Sequence, residues 1–440
     1  MNALRSLPST GFMGGLALAS PYVADILPWA IAGLLFVPWA IMVLVTRNFE
    51  SPLRVSPVLW IGVFLLTAHL LALLLTETPF VSSVLKESAI AAAVLCVGIL
   101  TQRDIRVADG FFSVLIGLGI GTAVLGLVKL GLQDRGYLLW FVIQACPDQY
   151  PQGSNLCTDY NLLGMLWLVT SLGLVGWRLR SNRFVPLILL SITLAAGLAV
   201  GSRRFLTLVL LVPVFWIAMT FKLRSWGGVR REFVLVILVA AASWILNLTI
   251  SDPHGYERFR FGAEPMTILG GPDVENPDEL TANMKNANRA GAGVIAGTIL
   301  DGGLDSRLGR WQLGLNSFLE SPVVGRGFTY HQTYAVATPI GLAKDYPHLP
   351  ILSEGLIGGF GLILLTLIMY AILTREAIVA PKWLQETGLP IALFAVTAVT
   401  AISGDTIFSL PHWIATAVAL TISGQLAQPY VQPKANSSHS

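Results

Sequence analysis

The sequence predicts an all-α fold, a polytopic integral membrane bundle of about twelve transmembrane helices with one large, partly helical external loop. Two bulk observations and one pattern predict it. Only 12% of the 440 residues are charged, against about 25% in soluble proteins. Hydrophobic residues make up 54% of the chain and its mean hydropathy is +0.69, more apolar matter than one water-soluble core can bury. The apolar residues are also grouped into repeated runs of spanning length. The net charge of +3 says little by itself, because the placement of charge decides how a membrane protein sits.

Runs able to cross about 30 Å of hydrocarbon lie near 27–46, 57–75, 82–100, 110–132 and 160–177. Those at 184–201 and 204–221 flank a short hairpin of Gly201, Ser202, Arg203 and Arg204, and 233–250 completes the amino-terminal set. A weaker run at 9–25 contains Gly, Ser, Pro and Asp25 and leads almost directly into the next span, which is unlike a cleaved signal peptide. Four regions follow: amino-terminal transmembrane helices over 1–250, a polar loop over 251–349, carboxy-terminal transmembrane helices over 350–424 and a tail over 425–440. Spans within the third region are expected at 350–374, 388–405 and 408–424.

Lys and Arg concentrate in alternate connections: Arg47 with Arg54, Arg103 with Arg106, Arg178 with Arg180 and Arg183, and Lys222 with Arg224, Arg230 and Arg231. These mark the cytoplasmic side and put the loop 251–349 outside. Cys146 and Cys157 both fall in the segment 133–159, which the same count puts outside, where a disulfide can form; two unpaired thiols near the interface are the alternative.

Cations retained on the disfavoured side need a reason, and binding an anion at the membrane surface supplies one. Arg203 and Arg204 sit in a turn too short to leave the interface, so they either clamp a phosphate or snorkel to lipid headgroups. A helix is expected to start at Arg307, capped by Asp305 or Ser306, with Trp311, Leu315 and Phe318 as its apolar stripe. Arg307 and Arg310 then share a face near the helix amino end, where the dipole also favours an anion. Pro322 stops this helix, and Gly325, Arg326 and Gly327 form a flexible turn. His348, just before the span that begins at Pro350, and His331, after the glycine turn, are both placed to take a proton from a hydroxyl near neutral pH; packing roles are the alternative. Glu354, within an apolar run, must face protein or water and either orients a histidine or arginine or bonds helix to helix. The acidic stretch Asp273, Glu275, Asp278 and Glu279 reads as a solvated loop, with a divalent-metal site on its four carboxylates as the alternative. No Walker loop, dinucleotide glycine pattern, zinc-protease helix or paired Cys-x-x-Cys occurs, which argues against nucleotide hydrolysis, dinucleotides and zinc. Nothing points to nucleic acid.

In this order the motifs resemble the bacterial O-antigen ligases, a family grouped with O-antigen polymerases. The hairpin ending in Arg203 and Arg204 resembles the family's Ser-Arg step between spans. Arg307 through Trp311 is similar to its Arg-x-x-x-Trp, and Pro322 through Phe328 to its Pro-x-x-Gly-x-Gly-Phe. His348 followed by Glu354, Gly355 and Gly358 resembles its histidine ahead of a Glu-and-Gly helix, with a gap close to one helical turn shorter and Leu349 where the family often has Asn. The resemblance implies a glycosyltransferase without cofactor or metal. It would move O-antigen polysaccharide from an undecaprenyl-pyrophosphate-linked donor to a sugar hydroxyl of lipid A-core, at the periplasmic face of the inner membrane. It implies His348 as the catalytic base, with Arg203, Arg204, Arg307 and Arg310 on the pyrophosphate and His331 and Glu354 nearby in the substrate site. An O-antigen polymerase on the same carrier and a transporter of lipid-linked oligosaccharide are the alternatives.

Overall fold

The computed structural model describes residues 57–76, 105–133, 160–199, 203–250, 307–329, 349–380 and 382–403, together with Pro347 and isolated helical positions within 85–95 and 415–423. Every regular element among them is helical. The helices, renumbered in chain order, are α1 (Pro57–Leu75), α2 (Ile105–Gln133), α3 (Tyr160–Ser181), α4 (Val185–Ala199), α5 (Arg203–Leu208) and α6 (Leu211–Leu223). They continue with α7 (Trp226–Ile250), α8 (Arg307–Glu320), α9 (Pro350–Val379), α10 (Lys382–Gln385) and α11 (Leu389–Ser403), and a 3₁₀ turn at Gly327–Thr329 follows α8. The expected spans 9–25 and 27–46, the pair Cys146 and Cys157, and the acidic stretch lie outside the described residues.

Three of these helices, α1, α7 and α9, are long and apolar enough to cross a membrane. Their surfaces are inverted relative to a soluble protein. On α7 the buried positions include Glu232, Ser243 and Asn247, while Phe233, Val234, Ile237, Leu238, Ile245 and Leu248 are exposed. In lipid an apolar surface costs nothing and a polar group must find a protein partner, so the polar residues turn inward. Between α2 and α3 the helices approach through a small residue, since a Cβ at Gly119 would lie 1.8 Å from Thr170 Oγ1. Nearby, Trp167 Nε1 donates to Thr122 Oγ1 over 3.1 Å inside the bundle. α3 packs on α2, α4 and α6, and α9 packs on α1, α8 and α11, so the described residues form one connected bundle around α3 and α9.

Two expected spans are interrupted. The run at 204–221 is divided between α5 and α6, with Val209 and Leu210 as a turn. Pro213 accounts for it: the proline ring clashes with the carbonyl four residues earlier, at Val209, and offers no N–H to it. The run from 350 is divided inside α9, where Gly358 (φ −138°, ψ 22°) and Gly359 (φ 66°, ψ −157°) leave helical geometry. The short arm, 350–357, folds back on the long one, because a Cβ at Gly355 would meet Ile363 Cδ1 at 2.8 Å. The long arm, 360–379, is about 30 Å by helical rise and is the part that can span.

The basic connections gather at one end of the bundle. Arg178 Nη2 donates to Glu232 Oε1 at 2.8 Å, Trp216 Nε1 to Glu232 Oε2 at 3.1 Å, and Arg231 Nη2 to Asn182 Oδ1 at 2.6 Å. The Arg178 and Glu232 side chains are each 2% exposed. The turn after α10 joins the same end, since a Cβ at Gly176 would meet the Thr387 carbonyl oxygen at 2.5 Å.

Candidate functional site

At the other end, two sequence motifs separated in the chain are fitted into each other. After α8 stops at Glu320, Ser321 Oγ donates to the Gly325 carbonyl at 2.8 Å and the Gly325 N–H donates to Ser321 O at 3.0 Å, closing a tight loop. That loop docks on the break in α9. The Arg326 N–H donates to Leu356 O at 2.6 Å and the Phe360 N–H to Pro322 O at 2.9 Å. These satisfy a backbone acceptor, the Leu356 carbonyl, before the helix interruption and a backbone donor, the Phe360 N–H, after it, groups the break would otherwise leave unpaired. Gly325 (φ 71°) and Gly359 (φ 66°) are in the left-handed region; a Cβ on Gly359 would lie 2.2 Å from Val323 O, and one on Gly325 would lie 2.7 Å from Gly358 N. The turn expected to be flexible is therefore pinned by hydrogen bonds and backbone contact.

The stripe expected on α8 is corrected. Trp311 is half-buried and Phe318 is buried, but Leu315 is 48% exposed, and Gly314 and Ser317 occupy the buried face instead. Close approach to α9 favours small residues, and the Phe318 ring meets Phe360 edge-on at 5.1 Å. Leu315, Leu319, Val323 and Val324 form an exposed apolar edge, the arrangement of a helix lying against lipid.

α1 completes the site. The Phe328 N–H donates to Thr76 Oγ1 at 3.3 Å, and the Phe328 ring lies 6.3 Å from the ring of His69. His69 and Glu354 are both fully buried, with Nε2 and Oε2 2.6 Å apart. His69 Nδ1 is 2.7 Å from the Leu65 carbonyl oxygen, so one ring nitrogen faces the α1 backbone and the other faces the Glu354 carboxylate. Tyr370, on the long arm of α9, is within electrostatic reach of Glu354.

The sequence-derived candidates are placed as follows. Glu354 is on the short arm of α9 and is bonded to a histidine, His69. Arg203 and Arg204 open α5, and Arg307 and Arg310 fall in the first turn of α8. α5 is at the end opposite the basic knot, since α4 starts beside the knot and the Phe205 ring packs on Gly197 near its far end. His348 and His331 lie outside the described residues, though Pro347 and Leu349 on either side of His348 are buried and half-buried. Motif reading passes over His69, yet a signal was available: an imidazole inside an otherwise apolar spanning run marks a site by default.

Among the described residues these features define a helical membrane bundle with helices long and apolar enough to span, a broken helix and a buried histidine–glutamate pair at one end. No family model matches the chain, and no curated protein matches it.

Proposed function

We propose that the chain is a membrane glycosyltransferase of the O-antigen ligase kind, built on a twelve-span plan. It would transfer polysaccharide from undecaprenyl pyrophosphate to a sugar hydroxyl of lipid A-core at the periplasmic face of the bacterial inner membrane. The observation that carries this reading is the fit of the 321–329 turn into the break of α9, because it joins two of the motifs on which the resemblance rests into one structural unit. The helix start at Arg203 belongs to the same end, since Phe205 packs on Gly197, and α8, which starts at Arg307, runs into this unit.

The chemistry demands little beyond these groups. The acceptor oxygen attacks the anomeric carbon as the bond from that carbon to the pyrophosphate oxygen breaks, which inverts the configuration. His348 takes the hydroxyl proton, with His331 as the substitute base, and the bonding electrons leave with the lipid-linked diphosphate. Arg203, Arg204, Arg307 and Arg310 stabilise the charge that grows on the departing oxygen, the task for which planar guanidinium groups suit phosphate best. Glu354 serves from behind, fixing the short arm that follows His348.

Reconstitution of the purified chain with undecaprenyl-linked glycan and rough lipopolysaccharide tests the proposal. Product is expected without nucleotide and in the presence of a chelator, and His348→Ala is expected to abolish turnover while donor binding survives. A requirement for ATP, or full activity of His348→Ala with His331 also replaced, would sink it. A polymerase is distinguished by deletion: loss of a ligase leaves core lipid bare, whereas loss of a polymerase leaves single repeats on the core.

A transporter of lipid-linked sugar is favoured by one observation, the broken α9 beside a buried ionisable pair, since transporters build their sites from such helices. Movement of the donor across a vesicle wall without transfer to acceptor would select that reading.

A further inference from the structure

The basic end of the bundle holds a second site. Arg180, Arg183, Lys222, Arg230 and Arg231 are exposed there, brought together from the turn between α3 and α4 and the turn between α6 and α7. The two turns are tied to each other: Arg224 Nη2 donates to Leu179 O at 2.8 Å, and Arg231 Nη2 to Asn182 Oδ1 at 2.6 Å. Negative charge is scarce. Glu232 is the carboxylate within this cluster, and it is used by Arg178 at 2.8 Å and Arg231 at 3.2 Å. Glu386, on the turn that packs against Gly176, comes with Lys382 close by on α10. Among the described residues Arg180, Arg183, Lys222, Arg224 and Arg230 form no ion pair, and the Arg224 Nε atom is buried without a hydrogen-bond partner. A folded surface that gathers several unpaired cations repels itself unless an anion joins it.

Its flanks identify the anion. Phe184 is 69% exposed, Trp226 74% and Phe221 56%, and Phe221 and Trp226 meet edge-on at 5.9 Å. A site for a soluble anion would not be ringed by exposed aromatics, whereas the headgroup layer of a membrane holds both classes at one depth. We infer that the two turns at the basic end form a binding site for the phosphate headgroup of an anionic phospholipid, with Arg180, Arg183 and Arg230 as its principal cations and Phe184 and Trp226 against the acyl boundary.

The test uses the full-length purified chain in nanodiscs of phosphatidylcholine doped with spin-labelled phosphatidylglycerol or spin-labelled phosphatidylcholine. A motionally restricted population is expected for the anionic label beyond that for the zwitterionic one. Arg180→Gln with Arg183→Gln and Arg230→Gln should erase the excess, at about fivefold in relative affinity for each cation removed. Arg183→Gln alone, a minimal change on an exposed residue, should lower it partially and covers the case in which the triple variant does not fold. Equal restriction of both labels, or an excess unaltered in a folded variant, would overturn the inference. Displacement of the label by millimolar inorganic phosphate would also overturn it, by assigning the site to a soluble anion. None of these readouts depends on glycosyl transfer.

Discussion

Glu354 and His69 face each other at 2.6 Å in the buried interior, and that fixes what each substitution does. Glu354→Gln keeps a hydrogen bond, because the amide can donate to a neutral Nε2 while Nδ1 stays on Leu65, so it should cost under about 1 kcal/mol. Glu354→Ala strands Nε2 in a dry interior and should cost about 1–3 kcal/mol. Thermal unfolding of the two variants in detergent checks the order; equal losses would mean that the contact with His69 does not decide the stability. Glu354 was visible in the sequence because a carboxylate in an apolar run has to be partnered. Its partner was not, because His69 lies far away in the chain and no local spacing connects them.

The break in α9 works as a socket, and Gly359 is its narrowest point. Its φ of 66° and ψ of −157° belong to a region open essentially to glycine alone, and the Val323 carbonyl fills the space where a side chain would go. Gly359→Ala should therefore cost at least about 1–3 kcal/mol and release the 321–329 turn. Limited proteolysis checks this, with faster cleavage within 321–329 than in the parent. The start of α8 at Arg307, its stop before Pro322 and the turn at Gly325 were all legible, because caps, prolines and glycines act over a few residues. The pinning of that turn was not, since its hydrogen bonds run to Leu356 and Pro322 reaches Phe360. The exposure of Leu315 was hidden for a like reason: periodicity gives a stripe its spacing, and the neighbouring helix decides which edge of the stripe is covered.

Across the bundle, the knot of Arg178, Glu232 and Trp216 holds α3, α6 and α7 together at the basic end. Arg178→Met leaves Glu232 buried without its main counter-charge and should cost about 3–5 kcal/mol. Adding Glu232→Met should recover most of that loss, because an apolar pair of similar volume suits the same space. A double-mutant cycle by thermal unfolding measures the coupling; strictly additive losses would mean that the pair does not act as a unit. Sidedness belongs to this scale as well. With Cys96, Cys146 and Cys157 replaced by Ser, a cysteine at Val323 should react with an impermeant thiol reagent added to spheroplasts, and one at Asn182 only after lysis. The reverse pattern would invert the orientation and remove the basis of the proposed function.

By itself the sequence determined the membrane class, the apolar runs of α1, α7 and α9, the ends of α8 and the places where charge collects, because hydropathy, prolines and positive charges act within one segment. The tertiary structure alone decided that Gly358 and Gly359 open a socket, that the turn after α8 fills it, and that His69 pairs with Glu354. Each of those depends on a contact between residues distant in the chain, and in a lipid-facing protein such contacts form wherever a buried polar group must find its partner inside the bundle.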